Sequence, residues 1–106
     1  MTAPVRAPRH LSEPARRLFA DITGTYVLEP HHVQLLIKAL ESFDRAEQAR
    51  TEIGKGPLMV TSRLGEPKVH PLLTVERDAR AQFFLGIKQL GLDIDGPPSP
   101  STRNRR

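Results

Sequence analysis

Apolar residues recur at helical spacing in three stretches of the chain, and prolines and glycines stand at the borders between them. The first stretch places Leu18, Phe19 and Ile22 on one stripe with Ala15 beside them. It opens at His10-Leu11-Ser12-Glu13-Pro14. There Ser12 can cap a helix, Glu13 suits the positive end of its dipole, and Pro14 has no N–H to leave unpaired. This helix is expected to end near Thr23-Gly24. After a connector from Thr25 to Glu29, Pro30 opens a second helix that is predicted to run to about Ile53, where Gly54-Lys55-Gly56-Pro57 stops it.

The second helix changes face along its length. Val33, Leu36, Ile37, Leu40 and Phe43 share one side, whereas Ala39, Ala46, Ala49 and Ile53 cluster roughly a quarter of a turn away, and Asp44 and Glu47 occupy the earlier stripe. The pattern predicts an intramolecular core for the first half and a subunit contact or solvent for the second. Glu41 with Arg45 and Glu47 with Arg50 have the spacing of helical ion pairs.

From Gly65 to Leu92 the chain reads as a turn, a short strand and a third helix. Leu58–Ser62 and Pro67–His70 flank Arg63-Leu64-Gly65-Glu66, which predicts a β-hairpin near 58–70. Two short strands alone are marginal, so the hairpin is expected to lean on a helix or a neighbouring subunit. Pro71 suits the first turn of the third helix and Gly91 its left-handed stop. Leu72, Leu73, Val75, Ala79, Phe83, Phe84, Ile87 and Leu90 cover about half the circumference, more than one antiparallel neighbour requires. Glu76 and Arg80 form an ion pair in that stripe, either at its rim or as a registry device at an interface. The candidate oligomer interface is therefore Leu72, Val75, Glu76, Ala79, Arg80, Phe83, Phe84 and Ile87.

The fold class is mainly α, three helices with a small hairpin between the second and third. The organisation is a basic arm over 1–9, a helical oligomerisation domain over 10–95 and a basic tail over 96–106. The formal charge of +4 invites a nucleic-acid reading. Between His10 and Gly96, however, 11 Lys and Arg face 12 Asp and Glu, a balance of −1, so the basic excess lies at the ends. Flexible basic arms can hold phosphates, and the candidate contacts are Arg6, Arg9, Arg16, Arg17, Arg103, Arg105 and Arg106. A solvated face is the competing reading for Arg16 and Arg17.

Chemistry for catalysis is missing from the pattern. His31 and His32 are adjacent and so diverge by about 100° on a helix, a poor geometry for joint metal chelation. The chain has no cysteine, which removes thiolate metal sites, a cysteine nucleophile and disulfides, and which suits a reducing cytoplasm. No phosphate-cradling glycine loop or nucleophile elbow occurs. Neither an enzyme nor a cofactor is expected. No apolar run approaches the roughly 18 residues of a membrane span, so no membrane partner is expected. The link between the first two helices is too long for a standard helix-turn-helix.

The order of the pieces adds a resemblance. Leu11-Ser12-Glu13-Pro14-Ala15 opens one helix and Leu40-x-x-Phe43-Asp44-Arg45-Ala46 lies in the next. Gly65-x-Pro67-Lys68-x-His70-Pro71-Leu72, Glu76-Arg77-Asp78-Ala79-Arg80 and Leu90-Gly91-Leu92 follow, with Ser101-Thr102-Arg103 in the tail. In this order the chain resembles the short members of the bacteriophage terminase small-subunit family. It differs from longer relatives in a basic N-terminal segment reduced to Met1–Arg9 and in an insertion around Ile94–Pro98. The resemblance implies a non-catalytic, ring-forming packaging component in the cytoplasm of a bacterial host. Such a component would recognise viral double-stranded DNA near the packaging start and deliver it to the large terminase subunit. The rival reading is a small helical interaction or regulatory adaptor that does not handle DNA.

Overall fold

The computed structural model describes residues 5–92. Three helices, α1 (Glu13–Thr25), α2 (Pro30–Ile53) and α3 (Leu72–Gln89), enclose the core, and a hairpin of β1 (Met59–Thr61) and β2 (Pro67–Val69) joins the last two. The mainly α architecture with one hairpin is as the sequence predicts. The tail beyond residue 92, including Arg103, Arg105 and Arg106, lies outside the described residues.

Local chemistry accounts for most of the element borders. Ser12 adopts an extended conformation before α1, and its side chain accepts the N–H of Ala15. Asp44 of α2 in turn accepts both the backbone N–H of Ser12 (2.8 Å) and the Ser12 hydroxyl. A carboxylate from another helix thereby holds the capping residue of α1 in place, where the dipole also favours negative charge. Pro30 is the first residue of α2. At α3, His70 satisfies donors that Pro71 cannot shield: its ring Nδ1 accepts the N–H of Leu72 (3.1 Å), and its carbonyl accepts that of Leu73 (3.0 Å). The ring therefore carries its proton on Nε2. Gly91 closes α3 with φ +74°.

Helices α2 and α3 are antiparallel. Gly86 lies against Ala39, Arg80 meets Glu47 and Glu76 meets Arg50, so position along one helix rises as it falls along the other. The approach is close because the meeting residues are small: a Cβ built on Gly86 would stand 2.8 Å from that of Ala39. Ala46, Ala49, Ile53 and Ala79 are all buried on the continuation of this seam. This corrects the expectation that the second half of α2 faces solvent or a subunit: α3 of the same chain covers it. The face changes along α2 because two partners share its first half, α1 on one side and α3 on the other, while α3 alone accompanies the second. Where all three helices meet, Phe19, Ile22, Leu36, Leu40, Phe83 and Ile87 form one buried cluster, with Ala15 from the start of α1 and Leu11 from the turn before it.

The ion pairs also differ from those the spacing predicts. Glu41 is engaged by Lys38 (3.4 Å) and by His10 (2.8 Å), not by Arg45, and Glu47 pairs across the seam with Arg80, not with Arg50. Helical spacing permits a pair, but a neighbour from another element competes for the same carboxylate.

The hairpin stands apart from this packing. Its register sets Met59 opposite Val69, Val60 opposite Lys68 and Thr61 opposite Pro67. Ser62 donates to the Glu66 carbonyl and Gly65 to that of Ser62, and Gly65 sits at φ +81°, a three-residue connection that requires a left-handed residue at its end. Both strands are exposed apart from half-buried Val60. Of the two supports expected for the hairpin, a helix or a neighbouring subunit, the described chain supplies little of the first, since only Val60 of its strand residues is half-buried.

Candidate functional site

The described basic candidates gather around the start of α1. Arg6, Arg9, Arg16 and Arg17 are all exposed. The turn before α1 folds Arg9 back towards the helix, and the guanidinium of Arg16 donates to the Arg9 carbonyl (3.3 Å). This brings Arg9 and Arg16 together. Arg17 is displaced along the helix to Glu13 (3.5 Å), which partly neutralises it. The expected boundary of the arm after residue 9 is blurred by packing, since Ala7 is half-buried against the core and Pro8 accepts the N–H of Leu11.

The segment is also anchored by a hydrogen bond to a carboxylate of α2. The hydrogen bond from His10, with help from Lys38, holds the Glu41 carboxyl below its ordinary value despite partial burial. On the adjoining surface of α2, Ser12, Pro14, Phe43, Asp44, Glu47 and Glu52 line an open cleft. Its carboxylates are engaged by neighbours, Asp44 by Ser12, Glu47 by Arg80 and Glu52 by Lys55, and no basic side chain lines it, so any nucleic-acid contact at this end belongs to the arginine side of α1. Among the described residues, no group of His, Asp and Glu is arranged to hold a metal ion. No described helix is long and apolar enough to cross a membrane.

The assembly candidates on α3 separate into three kinds of environment. Ala79, Phe83 and Ile87 are buried within the chain, with Phe83 stacked against Phe43 at a ring-centroid distance of 5.3 Å. Glu76 and Arg80 bridge α3 to α2: Arg80 reaches Glu76 at 3.0 Å and Glu47 at 3.3 Å, and Arg50 approaches Glu76 at 3.8 Å. Glu76 chiefly, and then Glu47, push the Arg80 guanidinium above its ordinary value, so it remains a cation throughout the usable pH range. Leu72 is half-buried, while Val75 and Phe84 are exposed on opposite borders of the packed face. The width of the α3 stripe thus comes largely from the intramolecular seam, with Val75 and Phe84 left available at its margins.

Sequence reasoning missed a set of exposed apolar side chains: Val27, in the link between α1 and α2, is fully exposed, and others gather at the hairpin. Leu64 at the hairpin tip is 85% exposed, Val69 55% and Met59 51%, and Leu58 just before β1 is also exposed. Leu85 on the outer face of α3 belongs with them. The available signal was the run of apolar residues on both strands with no helix positioned by the pattern to cover them.

No family model, curated protein or solved structure matches this chain.

Proposed function

We propose that this chain acts as a terminase small subunit, a non-catalytic component that binds viral DNA at the packaging start, assembles as a ring and recruits or regulates the large terminase subunit. The observation that carries the reading is the ordered signature from Gly65 through His70-Pro71-Leu72 to Leu90-Gly91-Leu92. Physical roles accompany several of its residues. Gly65 and Gly91 take left-handed conformations, and His70 satisfies the first donors of α3. The reading places self-assembly on the hairpin and the exposed margins of α3, and phosphate contacts on Arg6, Arg9, Arg16 and Arg17 with Arg103, Arg105 and Arg106. The host cytoplasm is the location that follows from it.

The near-neutral body and the acidic cleft beside α1 support a second reading, a helical adaptor that binds proteins and does not handle DNA. Fluorescence anisotropy with a duplex spanning the packaging start separates the two. The terminase reading expects affinity that falls steeply with salt. Each lost phosphate contact should reduce the log–log salt slope by about 0.9. Replacing Arg103, Arg105 and Arg106 with glutamine should therefore flatten it by roughly 2.7 if each makes one contact. An unchanged slope removes the tail from the contact, and no binding at low salt favours the adaptor.

A further inference from the structure

The register of the hairpin determines which of its backbone groups are free. Ser62 donates to Glu66 and His70 donates to Leu58, so the pairs at 58/70, 60/68 and 62/66 are the hydrogen-bonded ones. The alternating residues Met59 and Thr61 on β1, and Pro67 and Val69 on β2, therefore turn their N–H and C=O groups outward. The two outer edges are unequal. Pro67 has no N–H, which leaves the β2 edge with the single outward donor of Val69, whereas β1 offers two donors and two acceptors. Strand β1, Met59-Val60-Thr61, also carries no charge to discourage pairing.

We propose that the free edge of β1 pairs antiparallel with β1 of a second copy about a two-fold axis through Val60, forming a four-stranded sheet β2–β1–β1–β2. With the axis at Val60, Met59 of each copy faces Thr61 of the other, and all four outward donors find acceptors. The neighbouring registers fail on residues already described. Centring on Met59 sets Thr61 against Pro57, which has no N–H, and centring on Thr61 sets Met59 against Arg63 in the turn. Head-to-tail pairing of β1 with β2 meets the missing donor of Pro67. The sheet also joins Met59, Thr61, Pro67 and Val69 of both copies into one apolar face and gives each hairpin the additional strands that a lone pair lacks. A nucleic acid is the poorer occupant for this edge, because Arg63 and Lys68 both lie off β1.

The inference names the partner of the hairpin surface and rests on the reading of that surface as an assembly contact; it is independent of DNA binding. An isologous contact closes on itself, so each copy uses its β1 edge once. Any larger assembly must then contain an even number of chains, with the α3 margins supplying its other contacts.

The experiment uses the full chain, whose lack of cysteine makes one introduced thiol unique. Light scattering at tens of micromolar is expected to give an even multiple of 11.9 kDa. Val60→Cys should oxidise to a covalent dimer, since facing residues of a non-hydrogen-bonded pair bring Cα atoms to about 4.5 Å, within disulfide reach. Lys68→Cys should not, because two copies of that residue lie three strand spacings, roughly 14 Å, apart. Thr61→Pro removes one outward donor and should halve the mass or abolish the Val60→Cys cross-link. Val69→Pro, an equivalent change on the other edge, should leave both as they were. Should either proline variant disturb the hairpin itself, amide exchange in the unmodified protein gives a separate reading: Met59 and Thr61 should exchange at least about tenfold more slowly than Val69. A monomer overturns the edge pairing together with the assembly reading. An odd-numbered assembly, or an assembly in which Val60→Cys does not cross-link, overturns the edge pairing and leaves assembly through other surfaces standing.

Discussion

The seam between α2 and α3 and the hairpin that connects them follow each other in sequence, yet opposite forces hold them. Along the seam, Ala39, Ala46, Ala49, Ala79 and Gly86 are buried although each has little or no side chain. Their value is the close approach that they allow, which brings the larger residues Phe83, Ile87 and Leu40 into contact and brings Arg80 and Arg50 to their carboxylates. The hairpin has larger apolar side chains, Leu58, Met59, Leu64 and Val69, and buries none of them. Apolar content therefore does not locate the core of this protein. Geometry of approach does.

The largest expected effect tests the depth of that difference. Leu40→Ala, at a fully buried position where three helices meet, should cost about 2–5 kcal/mol of unfolding free energy, measured by urea denaturation. Val69→Ala in the isolated chain should change it by less than about 0.5 kcal/mol. Comparable losses at the two positions would mean that the hairpin is packed after all.

Gly86→Ala probes the seam by adding one carbon. Helix propensity alone favours alanine by about 1 kcal/mol, but the new Cβ would stand 2.8 Å from that of Ala39, and overpacking of this kind costs about 1–3 kcal/mol. A net loss is expected, and Ala39→Gly in the same chain should recover part of it. Additive losses in the double variant would show that the two positions do not share a contact.

Asp44→Ala should cost about 1 kcal/mol by removing the support for the Ser12 cap, and it should loosen α1 before the seam, as amide exchange would report. Gly65→Ala forces a residue with a Cβ to φ +81°. In the hairpin the effect should be local, with faster exchange near 62–66 and little change in global stability.

The smallest expected effect concerns acid. Glu41 in the folded chain ionises below its unfolded value of 4.5, so the stabilisation it brings is complete above that pH and is lost as pH falls through the lower folded value. Glu41→Gln should remove that part of the acid slope. Because the pair with His10 is partly solvated, the change is a few tenths of a kcal/mol, read from stability measured between neutral pH and pH 3.

The borders of this fold were legible because single residues make them. Ser12, Pro30, Gly65 and Gly91 each act through a local conformational rule that needs no knowledge of the neighbours. Partners were harder to read. Alanines and a glycine give a weak apolar signal, so Ala46 and Ala49 suggested a loosely used face, although small size is what lets α3 settle there. Spacing pairs Glu41 with Arg45, but His10, from the turn before α1, reaches it instead, and one-dimensional spacing cannot bring that residue near. For the candidate site, the individual arginines were visible in the sequence, whereas the bond between Arg16 and the Arg9 carbonyl depends on how the preceding turn folds back.

The connection from Ile53 to Leu72 has a consequence in chain topology. Antiparallel helices in a bundle are usually joined by about 2–8 residues, but positions 54–71 provide 18. Closing a loop of that length, compared with one of four, costs about 1 kcal/mol more in chain entropy. A short glycine-rich turn in place of 54–71 would therefore leave α2 and α3 able to find each other, with a slightly smaller entropic penalty. The helical body and its longest connection are separable modules, and the connection can be exchanged, lengthened or grafted without rewriting the seam on either side of it.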